Sequence, residues 1–145
     1  IFWALLAAAG ATGVPDWPDA TGIVIALIVL AVIFAVLPFA PTTLEGEAPT
    51  LIGRLHYVLA IAWFAISYAC MGNFSRFFTA AGPAWLGTAL TVIGWIAALS
   101  LAVSVLVLIV RVLRPKVFGI SERIFILSVS VFYPLVALGL ALVAA

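Results

Sequence analysis

The sequence predicts an all-α protein, a polytopic transmembrane helix bundle with four complete spans and the end of a fifth at the N-terminus. Three observations carry this. Of 145 residues, 68% are hydrophobic and 8% charged, and mean hydropathy is +1.42, whereas a soluble domain carries about a quarter charged residues. The apolar residues fall into runs near the length of about 20 that crosses a hydrocarbon core of roughly 30 Å. Those runs are continuous and lack period-two alternation, which selects helices over a closed barrel as the way to satisfy backbone N–H and C=O groups in lipid.

Residues 1–10 form an apolar stretch too short to span, expected as the tail of an earlier transmembrane helix. The prolines, glycine and two aspartates between Ala11 and Asp19 read as a surface loop. A first full span is expected at about 21–39, with Pro38 in its last turn. A polar segment with Glu45 and Glu47 follows, and Thr50 after Pro49 offers a helix cap. The second span covers about 55–71, and Gly72-Asn73 is expected to break it before an interfacial segment, Phe74-Ser75-Arg76-Phe77-Phe78. The third span covers about 85–110 and the fourth about 124–145. Ser121 suits an N-cap for that last span and Glu122 its positive end. Pro134 within it predicts a kink, with Ser130 placed to help the carbonyl region that the proline leaves unbonded. Linkers are short and no repeat stands out, so residues 1–145 are expected as a single transmembrane helical domain.

Lysine and arginine in short loops set orientation. Loops 40–54 and 111–123 hold Arg54, Arg111, Arg114, Lys116 and Arg123, whereas the other side holds Arg76 alone. The first two loops are therefore expected in the cytoplasm of a prokaryotic cell, with loops 11–20 and 72–84 and the C-terminus outside. The net charge of +1 does not supply the basic stripe that nucleic acid requires.

Candidate chemistry is sparse. Asp16, Asp19, Glu45, Glu47 and Glu122 all lie in expected loops, and no lysine or arginine lies mid-span, which disfavours an ion-coupled carrier. One histidine and one cysteine give neither zinc spacing nor a disulfide. Cys70 reads as a small buried apolar residue. His56 reads first as an interfacial hydrogen-bonding residue; a single-ligand pigment or haem is the lesser alternative, since Met71 lies roughly 22 Å away on the same helix. Glu45, Glu47 and His56 have no fixed ligand spacing, and no metal is expected. No nucleophile stands at motif spacing from a base, so no catalytic residue and no enzyme are expected. Arg111, Arg114 and Lys116 are candidates for lipid headgroups. Gly87, Thr91, Gly94, Ala98 and Ala102 recur every three or four residues and predict a helix-packing face.

Three passages carry a family resemblance: Phe39-Ala40-Pro41-Thr42; Pro49-Thr50-Leu51-Ile52-Gly53-Arg54-Leu55-His56 with Ala60; and Phe118-Gly119-Ile120-Ser121-Glu122-Arg123-Ile124. The chain resembles the bacterial and archaeal integral membrane proteins catalogued as domain of unknown function 998, similar in a Gly-x-x-His at the start of one span and a Gly-x-x-Glu-Arg before the last. The resemblance marks Gly53, His56, Gly119, Glu122 and Arg123 as family positions and implies more spans than are present here, but no reaction. All five lie at expected cytoplasmic helix ends, which suggests a latch between His56 and the Glu122-Arg123 pair. The leading functional expectation is a noncatalytic accessory or scaffolding subunit that packs against other membrane proteins and lipids. A lipid or small-solute transporter or sensor is the alternative, and pigment or haem binding through His56 the second.

Overall fold

The structure is a computed structural model that describes residues 1–12, 17, 19–41, 50–110 and 114–144. All regular structure among the described residues is helical, and four helices are long and apolar enough to cross a membrane: Ala20–Phe39, Leu51–Ala81, Ala84–Val107 and Val117–Val143. The helices are α1 (Phe2–Thr12), α2 (Ala20–Val36), α3 (Leu51–Ala81), α4 (Ala84–Ile109) and α5 (Arg114–Ala144), with a 3₁₀ turn at Leu37–Phe39 ending α2. Each packs on the next and α5 returns to α1, closing a five-membered ring around a core. That core is built on Leu27, Met71, Phe74, Phe78, Leu86, Leu90, Phe125, Phe132 and Val136.

Helix ends follow local chemistry. Thr50 caps α3 as its sequence position suggests: its backbone is extended and its Oγ1 accepts from the Gly53 N–H at 3.0 Å. At the other end Pro83 forces Gly82 into an extended conformation, so α3 stops and α4 begins within two residues. The Pro83 carbonyl then accepts from Leu86 and Gly87.

The break expected at Gly72-Asn73 does not form. α3 runs on to Ala81, and residues 72–81, expected as loop, are its last turns. A mid-helix glycine costs only about 1 kcal/mol relative to alanine, and Asn73 turns its side chain back on its own helix, donating to the Ala69 carbonyl at 3.1 Å. Burial then decides. Phe74 and Phe78 lie fully inside the core, while Phe77 stacks on Trp17 with ring centroids 4.4 Å apart. The segment is therefore core on one face, with Gly72, Arg76, Thr79 and Ala80 on the exposed one.

The last helix also starts earlier than the sequence suggests, at Arg114 instead of near Ile124. Ser121 is consequently no N-cap and Glu122 stands well past the first turn. Ser121 is buried against α4: its Oγ lies 2.8 Å from Ser104 Oγ, and the pair is flanked by the Ser100 carbonyl, 2.9 Å from Ser104, and the Phe118 carbonyl, 2.9 Å from Ser121. The Ser130 hydroxyl donates to Ile126 O at 2.8 Å, so it serves the preceding turn and not the carbonyl left unbonded by Pro134, which is its own.

The residues of the expected packing strip on α4 fall on different faces. A Cβ on Gly87 would stand 2.9 Å from the Thr79 Cα, and one on Gly94 3.9 Å from Ser75 Oγ, so this stretch faces α3. Ala98 is half-buried, whereas Thr91 and Ala102 are exposed. The strip drifts around a helix that must also meet α5, and Leu86, Leu90, Ala97, Ser100, Ser104 and Val107 set the buried face instead. At Gly139 α5 makes the matching approach, since a Cβ there would fall 2.7 Å from the Phe78 ring.

These contacts are testable. Gly87→Ala, which drives a methyl into α3 backbone, is expected to lower stability by about 1–3 kcal/mol. Gly72→Ala, with nothing within 4 Å of the new methyl, is expected to leave stability unchanged or slightly raised. Equal melting temperatures for the two variants in detergent would refute the close approach.

Candidate functional site

His56 stands in the second turn of α3, with one ring nitrogen committed. Its Nδ1 lies 2.6 Å from the Ala40 carbonyl, just past the end of α2. A carbonyl only accepts, so Nδ1 carries the proton. The bond clips the start of α3 to the end of α2, 16 residues earlier in the chain. Gly53 is buried one turn before, its N–H taken by the Thr50 cap.

The expected latch between His56 and the Glu122-Arg123 pair is not what forms, because the histidine bonds within the α2–α3 corner. Among the described residues neither Glu122 nor Arg123 makes a hydrogen bond or ion pair. Gly119 is exposed with no atom within 4 Å of an added Cβ, so no close approach calls for a glycine there. With Nδ1 engaged, Nε2 is the nitrogen left for the pigment or haem reading. Among the described residues no three His, Cys, Asp or Glu side chains gather around a point. Glu45, Glu47 and Arg111 lie outside the described residues, as do the side chains of Arg114 and Lys116, whose backbone opens α5.

The more informative site is one that motif reading passes over. Between α2, α3 and α5 opens a cleft of about 350 Å³, with Leu30, Ala31 and Phe34 on one wall, Trp63 and Ser67 at its back, and Val129, Ser130 and Tyr133 opposite. Ile1 also borders it. Trp63 is fixed between Phe34 and Phe125, with ring centroids 6.1 and 6.0 Å away. Ser67 lies between Arg54 and Arg76 on α3, well away from both ends of the helix.

Ser67 is fully buried and Tyr133 is 5% exposed; their hydroxyls lie within reach of each other and of Cys70, yet neither makes a hydrogen bond of good geometry. Tyr133 sits beside Ser67 and the buried Cys70, which follows Ser67 by one turn. A buried hydroxyl without a partner costs about 1–3 kcal/mol, and such groups point to a ligand, a partner or a strained function. Pro134 adds a third polar group. It has no N–H to offer the Ser130 carbonyl, and Ser130 lines the same cleft. The cleft therefore combines an aromatic wall with two hydroxyls and a backbone acceptor at a depth where lipid supplies none of their partners.

No protein-family model, curated protein or solved structure matches this chain. The resemblance to domain of unknown function 998 rests on the residues quoted for it alone. Sequence reading passed over Ser67 and Tyr133 because it weighed charged residues and named motifs, and single hydroxyls in apolar runs are common. The usable signal was Tyr133 immediately before a mid-span proline.

Two outcomes follow. His56→Ala is expected to lower detergent stability by about 1 kcal/mol through loss of the Ala40 bond, while Glu122→Ala leaves it unchanged; a melting loss confined to the glutamate variant would refute this assignment. Tyr133→Phe is expected to change stability by less than about 1 kcal/mol, since the hydroxyl removed makes no well-formed hydrogen bond with Ser67 or Cys70 beside it. A clear fall in its melting temperature would show that the hydroxyl is bonded.

Proposed function

We propose that the protein is a noncatalytic integral membrane bundle, an accessory or scaffolding subunit that seats a helix of another membrane protein in the cleft between α2 and α5. The observation that carries this reading is the pair of buried hydroxyls of Ser67 and Tyr133 that border the cleft beside each other without a well-formed hydrogen bond. Small and hydroxyl-bearing surfaces are what membrane helices use to associate, because apolar side chains gain little by exchanging lipid for each other. The absence of charge throughout α2 and α4, between Arg54 and Arg76 of α3, and after Arg123 in α5 supports a packing role over ion-coupled transport. The proposed setting is the prokaryotic cytoplasmic membrane, with loops 40–54 and 111–123 in the cytoplasm and loops 11–20 and 72–84 outside. That orientation follows the arginine and lysine asymmetry.

The size of the cleft favours a second reading. A volume of about 350 Å³ lies within the range of small-molecule pockets, and the same polar groups would hold a membrane-dissolved solute in a transporter or sensor.

The test is purification from native membranes in mild detergent with mass spectrometry of the intact complex. The expected result is a membrane partner in fixed ratio with the wild type, lost in Ser130→Trp, whose indole fills the cleft, and kept in Thr88→Leu on the exposed face of α4. A wild type that emerges alone, or a partner indifferent to Ser130→Trp, overturns the subunit reading. A bound small molecule displaced by Ser130→Trp would establish the second reading in its place.

A further inference from the structure

A second recess, of about 710 Å³, runs along the outside of the α3–α4 pair, away from the cleft. Its chemistry changes along its length. At the end near the α3–α4 turn stand Arg76, Asn73, Ser75 and Thr79. Toward the middle of α3 it is bounded by Tyr68 and by Trp95 of α4, with Gly72 between the two ends.

Among the described residues Arg76 is the single Lys or Arg at this end of the bundle: Arg54 stands in the first turn of α3, at its other end, and Arg114, Lys116 and Arg123 in the first three turns of α5. It is exposed and oriented from below: Nη2 donates to Asn73 Oδ1 at 2.7 Å, and Asn73 is itself tied to the Ala69 carbonyl at 3.1 Å. A guanidinium has five N–H donors, so most of its donors are uncommitted, and among the described residues it has no carboxylate partner. Beside it the Ser75 hydroxyl is buried without a hydrogen-bond partner. The hydroxyl protons of Thr79 and Thr91 are spent on helix carbonyls, so at the end near the turn Ser75 and Arg76 are the main donors, with the second amide proton of Asn73 beside them.

The recess between the two ends is empty because Gly72 has no side chain, and nothing lies within 4 Å of where its Cβ would be. The path from Arg76 to Tyr68 covers about 12 Å of helix. The recess thus offers a cation and a hydroxyl at the end near the turn and an unfilled apolar channel running inward between two aromatic rings.

We propose that this recess is a binding site for one anionic phospholipid, its phosphodiester held by Arg76 and Ser75 and an acyl chain lying over Gly72 between Tyr68 and Trp95. An arginine oriented by a neighbour and with no carboxylate partner among the described residues recognises phosphate oxygens by charge-assisted hydrogen bonds. The channel, in turn, selects a lipid over a soluble phosphate. The site is separate from Arg114 and Lys116, whose backbone opens α5 at the other end of the bundle.

The test titrates delipidated, detergent-purified protein with phosphatidylglycerol, with phosphatidylcholine of the same chains, and with glycerol phosphate, reading bound mass by native mass spectrometry. The expected result is one phosphatidylglycerol per chain, held at least tenfold more tightly than phosphatidylcholine, and no retained glycerol phosphate. Arg76→Gln is expected to weaken phosphatidylglycerol tenfold or more. Gly72→Leu, which fills the channel and leaves the arginine in place, is expected to weaken it as well. Arg114→Gln with Lys116→Gln is expected to change nothing. Arg76 is on the surface, so its variant reports binding even if Gly72→Leu misfolds. Undiminished binding in Arg76→Gln, equal affinity for phosphatidylcholine, or equal retention of glycerol phosphate overturns the proposal.

Discussion

Apolar side chains in a bilayer have as good a solvent in lipid as in each other, so a membrane bundle is held by close fit and by polar bonds that lipid cannot supply. In this chain the fit converges on Phe78. The ring is fully buried, with Gly139 of α5 beneath it and Leu86 of α4 beside it, and the Thr79 backbone next to it meets Gly87. Three helices approach there because two of them offer glycine. Gly82 and Pro83 then turn the chain sharply enough for α4 to return along the same surface. The five-membered ring and the recesses on its outside follow from that crossing.

Hydroxyls divide into two populations. Ser104 and Ser121 bond across the α4–α5 interface and find carbonyls on either side. Interhelical bonds of this kind contribute about 0.6 kcal/mol on average, enough to fix register without dominating stability. Ser67, Ser75 and Tyr133 are buried and make no such bond. Ser67 and Tyr133 border the cleft, and Ser75 borders the recess beside Arg76. Unspent hydrogen-bonding capacity coincides with unfilled space, and that coincidence distinguishes these places from the remaining lipid-facing surface.

The helical class and the four long apolar helices were legible because span length and continuous hydropathy are set by the solvent and not by neighbours. The Thr50 cap was legible because it is a local bond. Gly72-Asn73 misled for the opposite reason: local propensity favours a break, while the burial of Phe74 and Phe78 is a tertiary effect that a linear reading does not contain. The early start of α5 was hidden in the same way, since residues 114–123 look polar until Ser121 is seen against Ser104. His56 was read as polar and near a helix end, but its partner Ala40 could not be chosen over Glu122 without knowing that α2 ends beside it. The cleft was invisible because it is a property of three helices at once.

The continuity of α3 also sets the one depth at which this helix, long and apolar enough to cross a membrane, fits a bilayer. At about 1.5 Å per residue, Arg54 and Arg76 stand about 33 Å apart on one rigid rod, close to the thickness of the hydrocarbon slab at roughly 30 Å. Both guanidinium groups are exposed, and each is at home only among headgroups. Sliding the rod inward at one end drags the other arginine out of its headgroup layer, so vertical displacement is opposed in both directions. Tilting is opposed too, because a rod barely longer than the slab loses its reach after a modest lean. A helix broken at Gly72 would have left each arginine free to find its own depth. The unbroken one works as a ruler with a stop at either end, cut to a hydrocarbon slab of about that thickness.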